Sequence, residues 1–118
     1  MPKILIVEDD EELQQMLRLY FQMEKYVVKA VSTGSDANEQ LRFASFDAII
    51  LDWHLPGMNG LDILKEFRSK GGSTPVIMLS GNDTDEERNQ GLSCGANDYL
   101  KKPFDLKQLS QRLKALLA

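Results

Sequence analysis

Short apolar runs alternate along the chain with longer amphipathic stretches. Ile4–Val7 is wholly apolar and stops at Glu8, after which Leu13, Met16, Leu17, Tyr20 and Phe21 recur at helical spacing. A second run near Val27–Val31 precedes a weaker helical pattern from about Ser35 to Ala44. Ala48–Leu51 is apolar at every position, as a strand covered on both faces should be. Leu61, Leu64 and Phe67 mark a third helix that Gly71-Gly72 ends. Val76–Leu79 predicts a fourth strand, and a polar helix runs from about Asp83 to Leu92, with Gly95 near its end. Tyr99-Leu100 is a short fifth strand, and Leu106, Leu109, Leu113 and Leu116 stripe a last helix that reaches the chain's end.

Five alternating strand–helix units predict an α/β fold, a parallel sheet with helices on both faces joined by right-handed crossovers. The flavodoxin-like strand order 2-1-3-4-5 is the expected arrangement, although alternation alone does not impose it. No long linker or second composition divides the units, so residues 1–118 read as one domain. That length buries a core without disulfide or metal staples. The composition, 42% hydrophobic and 27% charged, is that of a folded globular chain. A formal charge of −4 without a Lys/Arg cluster argues against direct nucleic-acid binding. The single cysteine, Cys94, cannot close an internal disulfide, which suits a reducing compartment. No apolar run has the length of a signal core or a membrane span. A soluble, cytoplasmic protein without membrane contact is the expectation.

The carboxyl ends of parallel strands share one edge, and open α/β sheets bind ligands there. That edge would collect Glu8, Asp9 and Asp10, then Asp52, Ser80 and Lys102 from later strands. Helix capping accounts for one or two of the first acids. It does not account for Asp52 arriving from a different strand. Crowded carboxylates require a proton or a cation, and an oxygen-only donor set suits Mg2+. Asp52 has a second role open to it, as a nucleophile toward phosphorus, with a lysine and a metal offsetting the developing charge. Lys102 is the natural lysine, ahead of Pro103, whose fixed φ restricts the loop; Lys101 reads as a solvated neighbour. Ser80 could donate its hydroxyl to a bound phosphoryl oxygen.

The segments KILIVEDD, FDAIILDWHLPGMNG, PVIMLSG and GANDYLKKPF, in that order, resemble the receiver domain of two-component response regulators across essentially the whole chain. The resemblance implies that Asp52 is the phosphoacceptor and that Glu8, Asp9, Asp52 and the backbone carbonyl of His54 hold Mg2+, with Mn2+ as an alternative. Ser80 is then the hydroxyl switch residue, Lys102 the phosphoryl-contacting lysine and Tyr99 the aromatic switch. A cis Lys102–Pro103 bond is implied as well. The implied donor is the phosphohistidine of a sensor histidine kinase or phosphotransfer protein. Output would pass through the fourth helix, fifth strand and fifth helix to an effector domain or a separate downstream protein. Such a domain is a switch that catalyses its own slow chemistry, not a metabolic enzyme.

Some positions depart from the family's pattern. His54 is bulky at a position that influences phosphoryl lifetime in this family, and Asn82 is its companion. Gly81 stands where alanine is more usual and should loosen its loop. Asp98 and Arg112 resemble an ion pair between protomers of receivers fused to DNA-binding domains; Arg88 resembles half of another, whose acidic partner is here Gln108. The expectation is that this dimer mode is weakened or absent, with a monomer when unphosphorylated. Trp53 is expected to be partly exposed and Cys94 to fill space near a helix end. Three other classes compete: an aspartate-nucleophile phosphatase, a pseudo-receiver and a flavodoxin-like cofactor binder. The first would carry an acid at position 54, the second would lack the acids or the lysine, and the third wants a Ser/Thr/Gly-rich loop after the first strand.

Overall fold

The computed structural model describes residues 1–81 and 84–118. In chain order the elements are β1 (Lys3–Val7), α1 (Glu11–Met23), β2 (Val27–Val31), α2 (Gly34–Phe43) and β3 (Ala48–Asp52). They continue as α3 (Gly60–Ser69), β4 (Val76–Ser80), α4 (Asp85–Ser93), β5 (Asp98–Lys101) and α5 (Leu106–Leu117). All strand pairs are parallel, in the order β2-β1-β3-β4-β5, which is the flavodoxin-like arrangement expected for the five units. Asn82 and Asp83, the companion of His54 and the expected start of the fourth helix, lie outside the described residues.

Each helix starts at a side chain that can accept a backbone N–H. Asp10 accepts from Leu13, Thr33 from Asp36, Asn59 from Asp62, Thr84 from Glu87 and Asp105 from Lys107. The strands reach further than their apolar runs predict. Asp52 still pairs in register with Leu79, and Ser80 with Lys101. Those polar residues are therefore held by the sheet ladder and not by loops, which fixes their positions.

Alternate residues of each strand face opposite sides. Ile4, Ile6, Ile50, Ile77 and Leu79 meet Leu17 and Phe21 of α1 and Leu109 and Leu113 of α5. Leu5, Val7, Ile49, Leu51, Val76 and Met78 meet Ala37 of α2 and Ile63 and Leu64 of α3. Fully buried side chains of this size stabilise the fold by about 1.5–3 kcal/mol each before chain entropy is counted.

Trp53 departs from the expectation of partial exposure: it is 6% exposed, with its ring edge-on to Tyr99 at 6.3 Å between centroids. The reason lies in α4, whose one buried residue is Gly91. A Cβ at Gly91 would already touch the indole, so the ring fills space that a larger helix residue would take. Cys94, half-buried at the end of α4, packs against the same core as expected.

Arg68 at the end of α3 ties two loops together, the one from α3 to β4 and the one from α4 to β5. Its guanidinium donates to the carbonyls of Gly95 (2.8 and 3.0 Å), Thr74 (2.7 Å) and Gly72 (3.2 Å) and to Asn97 Oδ1 (3.0 Å). Asp98 closes on Arg112 of the same chain at 2.7 Å, so this pair, read from the sequence as one between protomers, is satisfied within the chain. Among the described residues, no helix is long and apolar enough to cross a membrane.

Candidate functional site

Glu8 leaves β1 with its side chain folded inward and is 1% exposed; Asp52 at the end of β3 is 3% exposed. Between them stands Lys102, whose Nζ lies 2.7 Å from Glu8 Oε1 and 3.3 Å from Asp52 Oδ1. Asp9 sits exposed at the rim. One carboxylate oxygen from each of Glu8, Asp9 and Asp52 lies within 4.8 Å of the others. The capping account covers Asp10, which receives the Leu13 N–H at 3.1 Å. Glu8 accepts the Asp10 N–H at 3.1 Å while bound to Lys102, and the cap of α1 is Asp10, not Asp9. Capping thus explains the third acid and leaves the pair that was read as metal-binding.

Burial disfavours charge here more than the lysine restores it. Burial lifts the Glu8 carboxyl from its ordinary 4.5 to about 7, against the hydrogen bonds from Lys102 and the Asp10 N–H. Burial also lifts Asp52, opposed first by the Lys102 charge. For Lys102, burial works against the ammonium, but the Glu8 hydrogen bond and the Asp52 charge outweigh it and the pKa rises. A group that holds a proton so strongly will also favour a metal cation. The donors are oxygens, one of them at the open rim, and this set fits Mg2+, which keeps several waters and tolerates few protein ligands.

Ser80 is fully buried, and its Oγ donates to Oε1 of Glu87, on the first turn of α4, at 3.2 Å. Glu87 was not singled out by the sequence reading. Its signal was the spacing Thr84-x-x-Glu87, which ordinarily marks a capping box with the glutamate turned back to the cap. Here that carboxylate reaches the strand end. His54 has a solvated ring, with 54% of its side chain exposed and Nε2 3.9 Å from Glu87 Oε1. Its backbone N–H turns to Asp52. Tyr99 is buried, between Trp53 and the Arg88 guanidinium 5.7 Å from its ring. Lys101 is exposed, and Lys102–Pro103 is cis, both as expected.

The loop from Trp53 to Gly60 closes back on Asp52, with the Gly60 N–H donating to the Trp53 carbonyl at 2.6 Å. A Cβ at Gly60 would fall on the Asp52 carbonyl, so close approach of helix and strand requires glycine. The sheet edge therefore brings together Glu8, Asp9, Asp52, Ser80 and Lys102, and the inward Tyr99 lies beside Trp53.

A family model described as "Response regulator receiver domain" matches residues 4–114. The chain is 43% identical over 115 residues to the transcriptional regulatory protein QseB of Escherichia coli O157:H7, covering 98% of this chain and 52% of that protein. It is 41% identical over 116 residues to the response regulator RppA of Synechocystis sp., covering 97% of this chain and 50% of that protein. The solved receiver domain of the Francisella response regulator 1452 superposes with a TM-score of 0.96 at 32% identity, covering 99% of this chain and 97% of that one. The chain spans about half the length of the curated relatives it matches.

Proposed function

This chain belongs to the response regulator receiver domain family, and from that premise we propose that Asp52 accepts a phosphoryl group from a phosphohistidine of a sensor histidine kinase or phosphotransfer protein. The observation that carries this reading is the Lys102 ammonium held between Glu8 and the buried Asp52. An Asp52 oxygen attacks phosphorus, the P–N bond breaks and the imidazole leaves with the electron pair, taking a proton. Charge grows on the phosphoryl oxygens, where Lys102 neutralises it and the Ser80 hydroxyl donates. Glu8, Asp9, Asp52 and the His54 carbonyl would hold Mg2+, or Mn2+; when bound, the ion supplies positive charge to those oxygens. Hydrolysis of the acyl phosphate returns the carboxylate.

The aspartyl phosphate adds charge and acceptor oxygens, and these select between two packings of the chain. Tyr99, buried between Trp53 and Arg88, would carry that choice to the α4–β5–α5 face. The output is an effector domain or a separate protein in the cytoplasm, without direct nucleic-acid or membrane binding by this domain. A helical donor is supported by a cleft next to Lys102 lined by Leu13, Met16, Pro103, Phe104 and Leu106 with Asp10 and Glu12, and by exposed Leu19 and Met23 further along α1.

The test is intact-protein mass after incubation with Mg2+ and acetyl phosphate. One phosphoryl increment, absent in Asp52→Asn and in chelator, is the expected result. A folded chain that takes up none, and that binds no beryllofluoride, would refute the reading in favour of a pseudo-receiver.

A further inference from the structure

We infer that Glu87 is a positioning residue for Ser80, an acceptor built into α4 that must release the hydroxyl before a phosphoryl group can take it. The inference rests on the phosphoryl-transfer reading above.

Ser80 has one O–H to give. Its backbone cannot follow a new partner, because Ser80 is in register with Lys101 and its carbonyl accepts from the Lys102 N–H at 2.7 Å. Only the side chain can turn, and it donates to Glu87 Oε1 at 3.2 Å. Glu87 is itself anchored. Its N–H donates to the Thr84 cap at 3.2 Å, and its carboxylate faces His54 Nε2 at 3.9 Å on the loop after Asp52. The carboxylate therefore stands between the switch hydroxyl and the phosphoacceptor loop.

A phosphoryl group on Asp52 would compete with Glu87 for the same hydrogen and would repel it, since it adds about two negative charges nearby. Both effects drive the first turn of α4 away from the strand end. That turn also carries Asp85 and Glu86, whose charges add to the repulsion. One turn further along, Gly91 lies against Trp53, whose ring packs on Tyr99. Release at Glu87 would thus be felt at the aromatic pair, and Trp53, the one tryptophan, reports it.

The experiment is a beryllofluoride titration of the full chain with Mg2+, read by Trp53 fluorescence. Glu87→Ala should lower the half-saturating concentration about tenfold, the equivalent of one charge-assisted hydrogen bond. Glu87→Gln, which keeps the acceptor oxygen and the size of the side chain, should lower it less. In the Ser80→Ala background the gain from Glu87→Ala should shrink, since the competed hydrogen is gone. Equal half-saturation in wild type and both Glu87 variants would overturn the inference alone. So would the same gain with and without Ser80, which would mark a general charge effect. A wild type with no response, where Asp52→Asn also gives none, would overturn the phosphoacceptor reading and this inference with it.

Discussion

Replacing Glu8 with glutamine should stabilise the metal-free protein at neutral to alkaline pH, although it removes a buried ion pair. In the unfolded chain Glu8 ionises around 4.5, and in the folded chain around 7. Between those values the folded state holds a proton that the unfolded state has lost. Stability therefore falls as pH rises across that window and levels off above it. At roughly 1.4 kcal/mol per tenfold change in proton affinity, the span amounts to about 3 kcal/mol. Glutamine keeps an oxygen for the Lys102 ammonium and has no proton to lose, so Glu8→Gln should lack this slope. Urea denaturation in chelator, followed by Trp53 fluorescence at about pH 5 and about pH 8, measures the difference. Wild type should lose about 2 to 3 kcal/mol more than the variant between the two conditions, since pH 5 already lies inside the window. Saturating Mg2+ should restore wild type at the higher pH and do little for the variant, because a cation then takes the place of the proton. Parallel losses in the two proteins would refute the idea that Glu8 is short of positive charge.

Three further outcomes are expected from other parts of the fold. Arg68→Met should cost about 3 kcal/mol in urea denaturation, because the carbonyls of Gly95, Thr74 and Gly72 lose a charged donor together. Gly60→Ala should destabilise by about 2 kcal/mol or more and slow labelling of Asp52 by acetyl phosphate, since its Cβ displaces the Asp52 carbonyl. The Ser110 hydroxyl, 2.6 Å from Glu24, holds that carboxyl below its ordinary 4.5, followed by the charge of Lys114. The stability it contributes is present above 4.5 and is lost as pH falls through the lower folded value; Ser110→Ala should move the Glu24 carboxyl resonance midpoint back up in an NMR titration.

Much of the architecture was legible because it is written in short-range pattern. Apolar runs of strand length, helical spacing between them and cap residues such as Asp10, Asn59 and Asp105 depend on neighbours a few positions away. The residues gathered at the sheet edge were legible for a related reason: parallel strands all end on the same side of the sheet, so the residues just past each strand share one edge. That rule brought Glu8, Asp52, Ser80 and Lys102 together before any distance was known.

The sequence could not decide which partner each polar group takes, because partners meet through space. Glu8 and Lys102 are 94 positions apart and bond at 2.7 Å. Asp10 emerged as the cap only when Glu8 was found turned inward. Glu87 has the spacing of a capping-box residue but reaches Ser80, and Asp98 finds Arg112 within its own chain. Trp53 is buried because Gly91, on an otherwise polar helix, leaves room for an indole. Local pattern determined the elements and the edge on which the chemistry lies, since strand and helix periods are properties of consecutive residues. Only the packing of distant elements decided protonation, burial and hydrogen-bond choice, since those depend on what fills the few ångströms around each group.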